Sequence, residues 1–397
     1  MKNSLSKDAR ILLAIGMLFL AGLMIASTFV NVYLIRLTNN MGLIILQNIA
    51  NYTALLSAFA LGTRFTKKGN MLTLLRVGLV AEILYYFLIL VLKEKAGDFL
   101  IALGAFNGFG MGFYYFTFNI LVGKMLDETN RSKFFSFQSS FSYIFGVLAP
   151  TISGFIIVKF SELSGYYVLF TSSVAVFVLA IIFSFQLKQV HSDEDYHIMG
   201  VLKLKNNPYW DANKYINFSF GLREALYTQI FTVFAYLIIS NEQTIGNLNS
   251  MMSLIGVVSS LFIASKFNIQ NQKKYYLLYS ILYITSLAGL GLFATTWSLY
   301  LSYMLNGLVI CWGSVIYQGL KYQLSNRAKN GFNDSDYIIT SEVPMAAGRL
   351  SGLILFFLLN INYGGFDLYR YLLITIPFMT LLDYVVIEKK IHWLKND

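Results

Sequence analysis

The chain has 397 residues, of which 56% are hydrophobic and only 13% are charged. A soluble domain is about 45–50% apolar and about 25% charged, so this composition excludes an ordinary soluble protein. The single cysteine, Cys311, excludes a disulfide framework, and the three histidines fall in predicted loops, away from any apolar segment where they could build a metal or triad site.

Apolar runs recur along the chain, and each is long enough to cross a hydrocarbon core, which takes about 20 residues per helix. They predict an all-α membrane protein of twelve transmembrane helices. The predicted spans are 11–35, 41–62, 71–92, 98–122, 135–158, 165–187, 214–239, 244–265, 275–295, 297–320, 337–359 and 369–388.

The basic residues are unevenly divided between the two sides of these spans. With the N-terminus inside, most lysines and arginines, Lys321 among them, fall in cytoplasmic segments, whereas the outer segments carry only Arg36, Lys93, Lys95, Lys159 and Arg370. The positive-inside rule then predicts that both termini are cytoplasmic. The net charge of +10 faces anionic lipid headgroups, so we expect membrane lipids and no nucleic acid as partners.

The longest polar stretch, 188–213, lies between the sixth and seventh spans. It divides the chain into two predicted six-helix bundles, 1–187 and 214–397, joined by a cytoplasmic linker. Two short similarities indicate that the bundles are copies: Gly62–Phe65 matches Ala264–Phe267, and the Asn-Gly pair at Asn107 matches the pair at Asn306. Parallel repeats of this kind are typical of transporters that rock two bundles around a central site.

The loop after the second span reads GTRFTKKGN from Gly62 to Asn70. This arrangement resembles the major facilitator superfamily, whose signature in that loop is Gly-x-Leu-x-Asp-Arg-x-Gly-Arg. Gly62, Lys67 and Gly69 fall on the pattern, whereas Thr66 replaces its aspartate. Gly69 permits a tight turn, and Arg64 and Lys67 anchor the loop at the anionic inner surface. The resemblance covers the whole chain in architecture but only short stretches in motif.

The fifth span carries a second partial match to this superfamily. Its exporters often have Gly-x-x-x-Gly-Pro-x-x-Gly-Gly there, and this chain has FGVLAPTISG at 145–154. Pro150 and Gly154 fall on the pattern, and Gly146 is one place late. Small residues and a proline let a helix bend and approach a neighbour, so the segment predicts either a kinked packing helix or an exporter motif.

The fourth span has glycines at every fourth position, Gly104, Gly108 and Gly112. They share one helical face, which predicts close packing against another helix. The resemblance places this helix beside the substrate cavity. We therefore expect uncharged polar and aromatic side chains of several spans to line a cavity, namely Asn31, Asn48, Asn107, Tyr114, Asn119, Gln138, Tyr227, Trp312 and Gln318.

Charged side chains inside the spans are costly, so they are usually paired or functional. In the superfamily, the third and twelfth helices lie outside the cavity, which makes Glu82 and Asp383 structural candidates. The resemblance also implies that the seventh and eleventh helices touch within the second bundle. We therefore expect an ion pair between them, either Arg223 with Glu342 or Glu224 with Arg349. A leftover acid, Glu224 or Glu342, would be the candidate proton carrier.

These patterns predict a secondary active transporter in a bacterial cytoplasmic membrane, which moves a small solute by alternating access. Proton-coupled export of an amphipathic compound is the leading interpretation. The alternatives are an uptake symporter for a sugar-like or other polar nutrient, and a non-transporting sensor or scaffold. No phosphate-binding Gly-x-x-x-x-Gly-Lys-Ser/Thr loop occurs, and we expect no enzyme activity, no cofactor, no metal and a monomer.

Overall fold

The computed structural model describes residues 5–66, 71–126, 128–160, 163–188, 197–266, 271–328, 331–332 and 334–391. Nearly all of these residues are helical. The α-helices are α1 (Lys7–Thr38), α2 (Met41–Thr66), α3 (Met71–Leu92), α4 (Leu100–Met125), α5 (Glu128–Lys159), α6 (Ser164–Ser184), α7 (Ile198–Leu202), α8 (Pro208–Ile239), α9 (Glu242–Lys266), α10 (Gln272–Phe293), α11 (Thr296–Arg327), α12 (Asp334–Tyr363), α13 (Phe366–Thr375) and α14 (Met379–Ile391). Short 3-10 helices follow α3 and α13.

Ten segments of the described chain are long and apolar enough to cross a membrane, and one of them, Met71–Met125, contains both α3 and α4. Large apolar side chains such as Val91, Ile101 and Leu358 are exposed on these helices, as expected for faces that contact lipid. The protein is therefore a multi-pass membrane protein. The count of twelve spans and the cytoplasmic location of the termini stay predictions.

Local capping explains where several helices begin and end. Asn207 accepts a hydrogen bond from the Trp210 amide at 3.0 Å, and Pro208 occupies the first turn, so α8 begins six residues before the predicted span. Ala294 adopts a left-handed conformation after α10, and Thr295 caps α11 through Ser298. These caps end α10 and begin α11, although the sequence is hydrophobic almost without interruption across the two helices.

The chain divides into two compact units, and the first contains Met1–Asp195 and Asn241–Ser250. In this unit the Ser173 hydroxyl donates to the Gly22 carbonyl at 2.9 Å, which joins α6 to α1. Phe19 of α1 stacks on Tyr114 of α4, with ring centroids 3.4 Å apart. Hydrogen bonds and ring contacts therefore join α1 to α6 and to α4 in the first unit.

The second unit contains Tyr196–Ser240 and Met251–Asp397. Its helices α8 and α12 pack so closely that a methyl group added at Gly221 would overlap the Met345 carbonyl. The later part of the predicted linker is ordered against this unit, because Val201 and Trp210 are buried with Ala328 and Tyr337. Burial of these side chains explains why the linker includes α7 and the start of α8.

Candidate functional site

An ion pair joins α8 to α12 inside the second unit. Glu224 Oε2 lies 2.7 Å from Arg349 Nε and 2.6 Å from Arg349 Nη2. The Glu224 side chain is 32% exposed and that of Arg349 is 14% exposed, so the pair is partly buried yet reachable from outside the protein. One of the two predicted pairs between these helices, Glu224 with Arg349, is confirmed.

A second ion pair joins α11 to α12. Lys321 Nζ lies 3.1 Å from Glu342 Oε1, and the lysine is buried whereas the glutamate is half-buried. The predicted span ends before Lys321, but α11 continues to Arg327 and buries this side chain. Its location on the cytoplasmic side stays a prediction. The long alkyl chain of lysine crosses the interface and brings its ammonium group to the acid.

A buried amide network lies beside these pairs. The Asn213 amide donates to the Lys321 carbonyl and to the Ser325 hydroxyl, both at 3.1 Å, and its oxygen accepts from Ser341 at 3.1 Å. Asn217 donates to Asn213 Oδ1 at 2.7 Å. The network connects α8, α11 and α12 through satisfied hydrogen bonds, so it fixes the helices that carry the four charges.

Aromatic side chains complete the group. Tyr317 donates its hydroxyl proton to Asn217 at 2.5 Å, and its ring stacks on Phe220 with centroids 4.0 Å apart. Tyr227 stacks on Phe231 one turn further along α8, at 4.9 Å. Charged, amide and aromatic groups of three helices therefore converge in the second unit, and we refer to Glu224, Lys321, Glu342, Arg349 and Tyr317 as the charge-pair cluster.

Arg223 does not join this cluster. It forms an ion pair with Asp383 of α14 instead of Glu342, and Asp383 also accepts a hydrogen bond from Tyr276 at 3.1 Å. Both partners are buried, at 6% and 0% side-chain exposure. The alternative prediction, Arg223 with Glu342, is wrong because adjacent residues on a helix point about 100° apart, and Glu224 takes the side that faces α12. Glu224 and Glu342 are each bound to a base, so neither is the leftover acid that was expected.

In the first unit, three of the polar residues meet at one point. Asn107 of α4 donates to Glu82 of α3 at 3.1 Å and accepts a hydrogen bond from Asn51 of α2. Glu82 is fully buried. Tyr114 is also buried, and it packs between the rings of Phe19 and Phe118.

The remaining predicted cavity residues are dispersed. Asn48 is half-buried and donates to the Ile44 carbonyl of its own helix at 2.9 Å. Asn31 and Gln138 are half-buried, Asn119 and Gln318 are exposed, and Trp312 is buried with its ring 6.0 Å from that of Tyr275. Their role in substrate contact stays a prediction.

The comparisons with known proteins bear on the fold. No family model matches the chain. It is 29% identical over 360 residues to "Uncharacterized protein YqgE" of Bacillus subtilis (strain 168), covering 89% of this chain and 83% of that protein. It is 28% identical over 165 residues to "Uncharacterized protein in sodM 3'region" of Geobacillus stearothermophilus, covering 42% of this chain and 77% of that protein.

Solved structures give the decisive observation. A bacterial homologue of the iron transporter ferroportin, in an inward-facing state, superposes with a TM-score of 0.71 at 13% identity, covering 99% of this chain and 100% of the other. The nucleoside transporter NupG superposes with a TM-score of 0.75 at 11% identity, covering 98% and 100%. A bacterial homologue of the lysosomal transporter Spinster gives 0.70 at 8%, covering 98% and 99%.

The chain has the fold of a major facilitator transporter. The resemblance inferred from the loop after the second span is thereby confirmed for the fold, and the similar structures named here are transporters, not enzymes.

In this transporter fold, the glycine face of α4 packs on α2. A methyl group added at Gly104 would overlap the Gln47 carbonyl oxygen, and one at Gly108 would overlap that of Asn51. At Gly112 it would lie 2.6 Å from the Ala58 side chain. The predicted close approach is therefore present, and it is made to the backbone of α2.

Two segments resemble transporter motifs, the loop after the second span and 145–154, and the structure describes only part of the first. Gly62 packs against the ring of Phe116, where an added methyl would come within 2.6 Å, and Arg64 is exposed. Lys67 and Gly69 lie outside the described residues. Pro150 lies inside α5, Gly146 is half-buried, and a methyl at Gly154 would lie 2.6 Å from the Glu242 carbonyl oxygen within the first unit.

Sequence reasoning missed Asn213, Asn217 and Lys321 as parts of the site. A usable signal was present, because Asn213 and Asn217 are four residues apart, as are Tyr317 and Lys321, and each pair therefore shares a helical face. Within the described ranges, no group of three or more His, Cys, Asp or Glu residues is placed to hold a metal ion.

Proposed function

We propose that this protein is a secondary active transporter that exports an amphipathic small solute across the bacterial cytoplasmic membrane in exchange for protons. The observation that carries the proposal is the charge-pair cluster, in which two acids on adjoining helices are each half-buried and each bound to a base. The transporter fold supports alternating access as the mechanism.

The cluster offers a physical route to coupling. When a proton binds Glu224, its attraction to Arg349 is lost, and the hydrogen-bonded contact between α8 and α12 weakens. The same holds for Glu342 with Lys321 between α11 and α12. A proton therefore changes the relative stability of two helix arrangements, and a ligand can shift a conformational equilibrium only through such a difference in interaction energy. Partial exposure allows protons to reach both acids.

The chemistry of the neighbouring side chains supports an amphipathic substrate. The half-buried ring of Phe220 stacks on Tyr317, while the partly exposed Glu224 and Arg349 place hydrogen-bonding groups close by. Sites that combine apolar walls with a few fixed polar groups suit solutes of mixed character. The likeness of 145–154 to the exporter motif supports outward transport.

The test uses purified protein in liposomes with a pH-sensitive dye in the lumen and an acidic interior. A panel of amphipathic cations, neutral amphiphiles, sugars and nucleosides is added outside. A solute exchanged for protons raises the lumenal pH, whereas a solute carried together with protons lowers it when the starting pH is equal on both sides. Thermal stabilisation by a solute that produces no pH change with either gradient would instead identify a sensor.

Variants then test the residues. We expect Glu224→Gln or Glu342→Gln to lose gradient-driven transport while keeping exchange of labelled solute in the absence of a gradient. The matched control is Glu388→Gln, which removes a helical acid paired with Lys273 at 3.0 Å but more exposed, at 41%. If both cluster variants accumulate solute as the parent does, the assignment of the coupling acids is wrong.

A further inference from the structure

One buried acid is not part of the charge-pair cluster. Glu82 of α3 has no exposed surface, and within the described residues its side chain makes no ion pair. Among the described residues, its Oε2 atom accepts a hydrogen bond from Asn107 at 3.1 Å, while no hydrogen-bond partner lies at its Oε1 atom. A carboxylate buried without a cation is strongly disfavoured, so the side chain is stable here as the neutral acid.

Helix α4 is shaped to hold this carboxyl group. A methyl group added at Gly110 would come within 2.6 Å of Glu82 Oε1, so the glycine leaves the space that the acid occupies. Tyr85 and Tyr86 of its own helix are close enough to interact electrostatically with Glu82, and both carry uncharged phenol groups. They supply no positive charge that could stabilise a carboxylate.

The other helices around Glu82 add no charge either. From α4 and α2 it meets amides, those of Asn107 and, through it, Asn51. Helix α6 also packs on α3, and it presents the rings of Phe170 and Phe177 to Tyr86. The surroundings thus stabilise a protonated carboxyl and penalise its ionisation.

The second unit shows that packing alone does not require an acid at such an interface. In the predicted repeat, Asn306 is the counterpart of Asn107, and α10 and α11 correspond to α3 and α4. There the contact uses neutral groups: Ser286 lies 3.0 Å from the Ser302 hydroxyl, and Asn306 donates to Ser302 at 3.3 Å. Neutral groups are therefore sufficient to join two helices of this kind, and the acid of the first unit needs another explanation.

We propose that Glu82 is a proton-binding site of the transport cycle. Its carboxyl group holds a proton while α2, α3 and α4 are packed as described. It releases that proton to water when a shift of these helices admits water to the site. Release leaves the carboxylate and requires only a water molecule as acceptor. As a coupling site, this assignment rests on the proposed transport function, whereas the buried protonated acid can be detected independently of it.

The first test is infrared spectroscopy of the protein in lipid vesicles at neutral pH. We expect a carbonyl-stretch band of a protonated carboxyl that shifts on transfer to D₂O, is absent in Glu82→Gln and persists in Glu388→Gln. Asn107→Ala should raise the frequency of the band, because it removes a hydrogen bond that the carboxyl group accepts. A missing band in the parent, or its persistence in Glu82→Gln, overturns the site.

The second test is transport by the same proteoliposomes. Glu82→Gln keeps the shape of the neutral acid, so we expect it to fold, to exchange solute and to lose gradient-driven transport. The Glu82→Gln variant could lack the band and still show gradient-driven transport at the parental rate. That result would make Glu82 a structural acid and overturn its coupling role. If Glu224→Gln and Glu342→Gln transport normally and Glu82→Gln does not, Glu82 is a coupling acid and the two acids of the charge-pair cluster are not.

Discussion

Arg349 binds Glu224 through two nitrogens of its guanidinium group, Nε at 2.7 Å and Nη2 at 2.6 Å from the same carboxylate oxygen. The pair lies where α8 and α12 approach closely, with a methyl at Gly348 overlapping the Phe218 carbonyl. Because the backbones are this close, a shift of either helix changes the distance between the two charged groups. This geometry makes the pair sensitive to the relative position of the two helices.

Exchanging the two charges tests whether the pair acts as a unit. We expect Glu224→Arg and Arg349→Glu each to abolish transport, because each places two like charges in contact, and the double variant to recover part of it. The measurement is solute exchange in proteoliposomes for all three variants. Equal defects in the single and double variants would show that the two residues act separately.

The Arg223–Asp383 pair is expected to be structural. Both side chains are buried, so Asp383→Asn should destabilise the protein by about 3–5 kcal/mol by leaving Arg223 without its counter-ion. Thermal unfolding in detergent, followed by size-exclusion chromatography, measures the loss. Replacing both residues by apolar ones, Arg223→Met with Asp383→Leu, should restore stability. A stable Asp383→Asn protein that fails only in transport would contradict this expectation.

The α2–α4 contact gives a prediction about packing. Gly108→Leu should overpack the interface by about 1–3 kcal/mol and abolish transport despite membrane insertion, because its side chain meets the backbone of Asn51. Gly123→Leu on the same helix is the control, since an added methyl there meets no atom within 4 Å. Membrane yield, melting temperature and solute exchange are compared. Normal transport by Gly108→Leu would show that the contact tolerates separation.

Topology is tested by labelling single cysteines in a Cys311→Ser background. Cysteines replacing Lys68, Asp195 and Lys395 should react with an impermeant maleimide only from the cytoplasm. Those replacing Lys95 and Asp367 should react from outside, and the Asp367 side chain is well exposed, at 78%. Labelling of any site from the opposite face would disprove the model of twelve spans with both ends inside.

The sequence by itself determined the class of the protein and much of its helix pattern. Hydrophobic length marks a membrane helix because every backbone polar group in lipid must be satisfied within the segment. The spacing of the glycines also predicted that they share one face of α4, because residues four apart on a helix lie on the same side whichever helix packs there. It also identified the residues that cannot face lipid, including Glu224 and Arg349, because the cost of an exposed charge does not depend on tertiary structure.

Only the tertiary structure decided which charges pair. Arg223 and Glu224 are neighbours in sequence, but they point to different helices, and the choice between Asp383, Glu342 and Arg349 depends on how α8, α12 and α14 are rotated. Lys321 became a site residue because α11 continues past the predicted span. The burial of Glu82 against Gly110 likewise depends on the separation of α3 and α4. Such contacts are set by distances of a few ångströms between segments far apart in the chain, and no local pattern encodes those distances.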